Sequence, residues 1–170
     1  MKENNYLVLD IETIPQDNPN PYILEAYQKK WDKLDISKKE EQMQIDRALE
    51  VGLSDLFCIV LKPNDGKHIV IQEDNEKNML ETFWNNMSNL FDKKLITFNG
   101  IKFDVPYIMH KSLIHRIPHF PLPNKRWDFT KHFDIRMWLT NWNDFGFGTM
   151  RFWCELMGIE FDKELANSNK

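Results

Sequence analysis

The most constraining feature is an apolar strand that carries two acids on one side, Leu7-Val8-Leu9-Asp10-Ile11-Glu12. In an extended chain, residues two apart share a face. Asp10 and Glu12 therefore project together, about 6–7 Å apart along the strand. Two carboxylates on one face of an otherwise apolar strand are costly unless a cation or a basic partner compensates them. The pattern calls for a buried, central strand over residues 6–12 that delivers its acids to a polar site. Pro15 and the run Gln16-Asp17-Asn18-Pro19-Asn20-Pro21 then end it in a loop.

A second segment has the same character. The apolar run Leu95-Ile96-Thr97-Phe98 reads as a buried strand and turns at Asn99-Gly100. Asp104 then has the place of a helix cap, with Pro106 in the first turn of a helix reaching about Leu113. If the two strands are neighbours, Asp104 enters the space occupied by Asp10 and Glu12. Oxygen ligands of this kind suit Mg²⁺ or Mn²⁺. Two such ions about 4 Å apart activate a water and stabilise the leaving oxygen in phosphodiester hydrolysis. The plainer alternative is an Asp in a turn, a Glu paired with a Lys, and an ordinary helix cap.

Between these segments the chain reads as two polar helices over 22–34 and 37–49, with Ser37 and Glu40 at capping-box spacing. This excursion is a solvated helical insertion or a flap beside the carboxylates. Asp55 to Leu61 and Lys67 to Ile71 form a hairpin around the turn Pro63-Asn64-Asp65-Gly66. A helix over about 75–91 carries Met79, Leu80, Phe83, Trp84, Met87 and Phe91 on one face. Pro118, Pro121 and Pro123 make 117–127 a loop. Phe133 to Leu139 is a strand or a helix start, which periodicity does not decide. Asn143 to Gly148 is another loop, and Thr149 caps a last helix stopped near Gly158. The order fits an α/β fold, a mixed sheet with helices on it. A doubly wound binding fold competes, but no glycine-rich phosphate loop follows the first strand. The domain spans 1–161, with the insertion at about 22–49 and a polar tail at 162–170.

The chain holds 22 basic and 26 acidic residues, a formal charge of −4, so any grip on nucleic acid must be local. Lys29, Lys30 and Lys33, Lys38 and Lys39, Lys93-Lys94, and Lys125-Arg126 are solvated faces, or local guides for a phosphate backbone. Trp127, Trp138, Trp142 and Trp153 suit core packing ahead of base stacking. His110, His115, His119 and His132 form no zinc pattern. Cys58 and Cys154 read as buried, unpaired thiols of a reducing, cytoplasmic setting. Cys154 lacks a local base for nucleophilic chemistry. No apolar run is long enough to span a membrane.

Leu9-Asp10-Ile11-Glu12-Thr13-Ile14-Pro15 and Asn99-Gly100-Ile101-Lys102-Phe103-Asp104-Val105-Pro106 resemble the first and second motifs of the DEDD exonucleases. The likeness is nearest to the predicted 3′-5′ exonucleases related to the proofreading domain of family B DNA polymerases. His132-Phe133-Asp134-Ile135 and the segment from Thr149 to Ile159 resemble later parts of that family, so the resemblance covers roughly residues 5–161. It implies a ribonuclease H-like mixed β-sheet flanked by helices. It also implies that Asp10, Glu12 and Asp104 hold two Mg²⁺ or Mn²⁺ ions, with Glu12 orienting the attacking water. Thr13, Asn99 and Phe103 would contact the terminal nucleotide or shape its pocket. The substrate implied is a single-stranded DNA end, with RNA as the alternative strand.

The family pattern continues to a helix with a fourth carboxylate, preceded four residues earlier by a Tyr or His. No such segment stands in these 170 residues. Asp162 follows Gly158 too closely, and His132 to Asp134 is the wrong spacing. Asp128 and Asp134 substitute only in a changed topology. Three explanations stand open: a fragment of a longer exonuclease, a site completed by a second subunit, or a shortened relative. The last would be a catalytically inactive DEDD-like protein that binds nucleic acid or a protein partner in a regulatory role. An unusual fourth ligand would keep the chain active. A purely structural domain would instead scatter the three acids into separate environments.

Overall fold

The structure is a computed structural model that describes residues 5–143 and 148–161. Its core is a five-stranded sheet in the order β3-β2-β1-β4-β5. β1 (Tyr6–Pro15) is central and longer than expected, running past Glu12. Its odd-numbered residues Leu7, Leu9 and Ile11 are buried in the core, as the alternation requires. β2 (Ser54–Pro63) pairs antiparallel with β1, and β3 (Ile69–Ile71) antiparallel with β2. β4 (Lys94–Thr97) and β5 (His132–Asp134) are parallel to β1. The sheet is thus mixed and flanked by helices, the α/β, ribonuclease H-like architecture expected.

Two helices cover the core face. α3 (Glu76–Ser88) buries Met79, Leu80, Phe83, Trp84 and Met87, the expected stripe. Phe91 does not join it. The helix ends at Ser88, with Asn89 as its C-cap, and the chain leaves the helical path, so Phe91 is 70% exposed. α4 (Asp104–Ile114) adds Val105, Tyr107 and Ile108 to the core. The Trp84 indole N–H donates to Ser112 Oγ at 2.8 Å and ties the two helices together.

A buried lysine locks α4 in place. Lys111 is 2% exposed; its Nζ donates to the Ser54 carbonyl at 2.5 Å and lies 3.0 Å from both Asp55 and Glu76. Glu76 in turn accepts from the Leu56 N–H. A buried ammonium persists only when its charge and protons are matched. Here the matching groups come from the start of β2 and the first turn of α3, so all three elements share one anchor.

The excursion after β1 forms α1 (Pro21–Trp31) and α2 (Ile36–Leu49). Asp46, nearly buried, accepts from Lys30 Nζ, Trp31 Nε1 and Gln42 Nε2 and staples the pair. The expected Ser37–Glu40 capping box does not form. Asp35 occupies the N-cap position, without a side-chain cap, and Ser37 is already helical. Lys29, Lys30 and Lys39 pair with Glu25, Asp46 and Asp32, so those lysines belong to a solvated, ion-paired face.

The segment that periodicity left open is both things in turn: β5 leads directly into α5 (Ile135–Leu139), capped by Asp134. Thr149 caps α6 (Met150–Leu156) by accepting from the Phe152 N–H. Cys58 and Cys154 are unpaired, but half-buried rather than buried. No helix among the described residues is long and apolar enough to cross a membrane. Most of the expected loop at 143–148, Asp162 and the tail lie outside the described residues.

Candidate functional site

β1, β4 and β5 run parallel, and each brings an acid to its carboxyl end or just beyond it. Asp10 and Glu12 lie in the second half of β1, Asp104 follows β4 through a turn, and Asp134 ends β5. Outside the carboxyl ends of parallel strands is where open α/β sheets form their crevices.

The geometry at Asp104 follows from where β4 stops. β4 pairs with β1 only over Tyr6–Val8. Farther along, the Ile11 N–H donates to Asp104 Oδ1 at 3.1 Å instead of to a strand. Buried N–H groups require a partner, and here the partner is a carboxylate at 4% exposure. The expected capping role is therefore corrected. Phe103 holds the N-cap position and Asp104 is the first helical residue, its Oδ1 directed across to β1.

The turn that delivers Asp104 is tightly specified. Asn99 sits at φ 72, in the left-handed region that Asn tolerates well. Gly100 follows because a Cβ there would come within 2.5 Å of the Thr97 side chain. Asp134, fully buried, accepts from the N–H groups of Asn99, Ile101 and Met137 at 2.9, 2.9 and 3.1 Å. Its oxygens hold the turn and cap α5, which sets it apart from the other three acids. Arg136 donates to Asn99 Oδ1 at 3.1 Å. Because a guanidinium only donates, this contact fixes the Asn99 amide with its oxygen toward Arg136.

Burial and neighbouring charge act on two of the acids expected to act together, Asp10 and Asp104. Asp10 reaches solvent, yet the surrounding protein is the main cause that pushes it up to about 6, with the Glu12 charge second. Burial pushes Asp104 up to about 7, followed by the Asp10 charge. Cys58 stands opposite Glu12 in the β1–β2 register; burial, then the Glu12 and Asp10 charges, raise its thiol. Asp10 thus feels the Glu12 charge, and Asp104 feels the Asp10 charge. Among the described residues, however, no three His, Cys, Asp or Glu side chains are grouped closely enough to hold a metal ion. Charge repulsion extends beyond ligand distance, so both observations hold.

Beside the acids lies a cleft of about 470 Å³ lined by Ile11, Glu12, Thr13, Leu49, Phe57 and Phe103, among others. It unites Glu12 with two residues expected to shape a nucleotide pocket, Thr13 and Phe103. Asn99 is not part of this lining. Thr13 Oγ1 donates to the Ala48 carbonyl at 2.6 Å, so the end of α2 forms one wall. Sequence reasoning missed Phe57, Arg136 and the turn-holding role of Asp134. Only Asp134 left a signal, as an acid between a short apolar run and a helix.

The remaining candidates make local contacts within the fold. Asp128 accepts from Thr130 in a local turn. His132, its pKa lowered chiefly by burial, bridges Thr97 Oγ1 and the Pro123 carbonyl, both at 2.8 Å. His115 meets Glu76 and His119 stacks on Trp84. Trp142 is buried, whereas Trp127 and Trp138 are exposed members of an aromatic cluster with Phe129 and Phe133.

No curated protein matches the chain in sequence. Among solved structures, the family B DNA polymerase from the hyperthermophilic archaeon Pyrobaculum calidifontis is similar in fold, with a TM-score of 0.59 at 13% identity. The similarity covers 94% of this chain and 19% of the polymerase, so the chain spans about a fifth of that protein. Residues 58–160 match one family model, a stretch that holds the Asn99–Pro106 turn but begins after Glu12 and Phe57. By that match the chain belongs to the family of predicted 3′-5′ exonucleases related to the exonuclease domain of PolB.

Proposed function

We propose that this protein is a metal-dependent 3′-5′ exonuclease that hydrolyses phosphodiester bonds at single-stranded DNA ends. What supports the reading is that Glu12 lines a cleft with Thr13 and Phe103, and that the Glu12 charge acts on Asp10 and the Asp10 charge on Asp104. Family membership supports the reaction class. The hard oxygen donors suit Mg²⁺ or Mn²⁺. Burial is the main cause that raises Asp10 and Asp104, with a neighbouring carboxylate charge second, and a bound cation would offset that repulsion.

Asp10, Glu12 and Asp104 are the residues that would hold the ions. When bound, the metal supplies a nucleophilic water at neutral pH and charge stabilisation for the leaving oxygen. The protein's own residues do the positioning. Glu12, shared between the acid group and the cleft, orients the attacking water. Phe103 and Thr13 flank the terminal nucleotide, and the Thr13 hydroxyl, donating to Ala48, keeps its lone pairs for a sugar hydroxyl. Asn99, fixed by Arg136, presents its NH₂ donor to an acceptor on the strand. Asp134 is committed to three backbone N–H groups and is not assigned as a ligand.

A second reading rests on the absence of a close three-ligand group among the described residues. In it the chain is a catalytically inactive DEDD-like protein that binds nucleic acid or a protein partner. Mn²⁺-dependent shortening of a 5′-labelled single-stranded oligonucleotide separates the two. Stepwise shortening that drops by about 10² or more in Asp104→Asn establishes the exonuclease. Binding without shortening by the folded protein establishes the second reading.

A further inference from the structure

The β1–β2 register shifts between Glu12 and Thr13: Glu12 pairs with Cys58, while Thr13 pairs with Leu56. Phe57 is the extra residue of a β-bulge. Its consequence is visible in the burial along β2. Leu56 and Ile59 both point into the core, and the two residues between them, Phe57 and Cys58, are both outside it. In a regular strand Phe57 would alternate with Cys58 and bury its ring. The bulge instead turns the ring outward, 46% exposed, onto the wall of the cleft that Glu12, Thr13 and Phe103 also line. Bulges next to active sites commonly re-aim a side chain in this way.

An exposed Phe in mid-sheet costs apolar burial, so a ligand surface that covers it returns that stabilisation. The rest of the lining narrows the choice of ligand. Ile11, Ile14, Pro15 and Leu49 offer no side-chain hydrogen-bonding groups that would read a base edge. An aromatic ring in such surroundings suits the face of a base, which every nucleotide has.

We propose that Phe57 is a substrate-positioning residue that stacks on the terminal base of a single-stranded nucleic acid, without preference among bases. The assignment rests on the exonuclease reading and refines its substrate-binding site. Phe57 holds the base while Glu12, at the same cleft, faces the sugar-phosphate side. The ring lies on rigid sheet, so stacking positions the terminal linkage as well as contributing affinity.

The test is binding of 5′-fluorescein-labelled single-stranded oligonucleotides with a non-hydrolysable terminal linkage, followed by anisotropy. One ends in a normal nucleotide and one in an abasic sugar. Wild-type protein is expected to prefer the normal end by roughly tenfold, the scale of one base stack. Phe57→Ala should lose that preference and Phe57→Trp retain it, with melting curves confirming that both fold. All four terminal bases should bind alike. Phe57→Ala that still distinguishes the two ends overturns the assignment and leaves the exonuclease reading intact. Wild-type protein that binds neither oligonucleotide overturns both.

Discussion

Replacing Asp104 by Asn tests the electrostatics of the acid group with little change of shape. The amide keeps an oxygen where Asp104 Oδ1 accepts the Ile11 N–H, and it removes the charge. The folded protein raises Asp104 from 3.8 to about 7, mainly through burial, with Asp10 adding repulsion. Between those values the folded state keeps a proton that the unfolded chain has released. Stability therefore falls as pH rises through this window and levels off above it. At about 1.4 kcal/mol per pKa unit, ionised Asp104 costs the wild type on the order of 4 kcal/mol above pH 7. The buried amide returns roughly 1–2 kcal/mol of that through an imperfectly bonded NH₂. Asp104→Asn should thus be more stable at about pH 8 by roughly 2–3 kcal/mol, a rise of about 4–12 °C in melting temperature. Near pH 4 the advantage should vanish or reverse. Mn²⁺ should raise the wild-type melting temperature at about pH 8 and raise that of the variant much less. Urea and thermal denaturation across pH, with and without Mn²⁺, measure all of this. A variant no more stable than wild type at about pH 8, or a difference that does not change with pH, would refute the reasoning.

Asp134→Ala leaves three backbone N–H groups without their acceptor and should cost about 3 kcal/mol by urea denaturation; Asp134→Asn, which keeps the shared oxygen for Asn99 and Met137, should lose less. Gly100→Ala drives a methyl into Thr97 and should cost about 1–3 kcal/mol, while weakening the Mn²⁺ response because the turn carries Asp104. Lys111→Met leaves Glu76 buried without its ammonium partner and should destabilise by about 3–5 kcal/mol in thermal melts. Arg136→Ala frees the Asn99 amide and should weaken oligonucleotide binding severalfold in anisotropy titrations, with a smaller change in melting temperature.

Local rules made much of this molecule legible from its sequence. The period-two burial of Leu7, Leu9 and Ile11 and the five-residue face of α3 follow from backbone geometry alone. So does the cap at Thr149, which needs only a side-chain oxygen and an N–H within three residues. The pairing of Asp10 with Glu12 on one strand face is local as well. The same rules failed at Ser37 and Phe91. A helix start and a helix end each depend on where the flanking chain has to go, which a spacing pattern does not contain.

The tertiary structure decided what lies between elements. Which strand borders β1 determines that the Ile11 N–H meets Asp104, a contact across 93 positions of chain. Strand order also places Asp134 under the Asn99 turn, where it serves as an acceptor for backbone rather than as a free acid. Lys111 is buried because Ser54, Asp55 and Glu76 converge on it from two other elements. Phe57 is the sharpest case. Its apolar ring and strand position predict burial, and one extra residue in β2 turns it into the cleft. Side-chain chemistry and strand periodicity are properties of a few consecutive residues, so the sequence alone determined the acids and their strands. Register, neighbour identity and the burial of charge are properties of pairs far apart in the chain, so only the folded protein decided them.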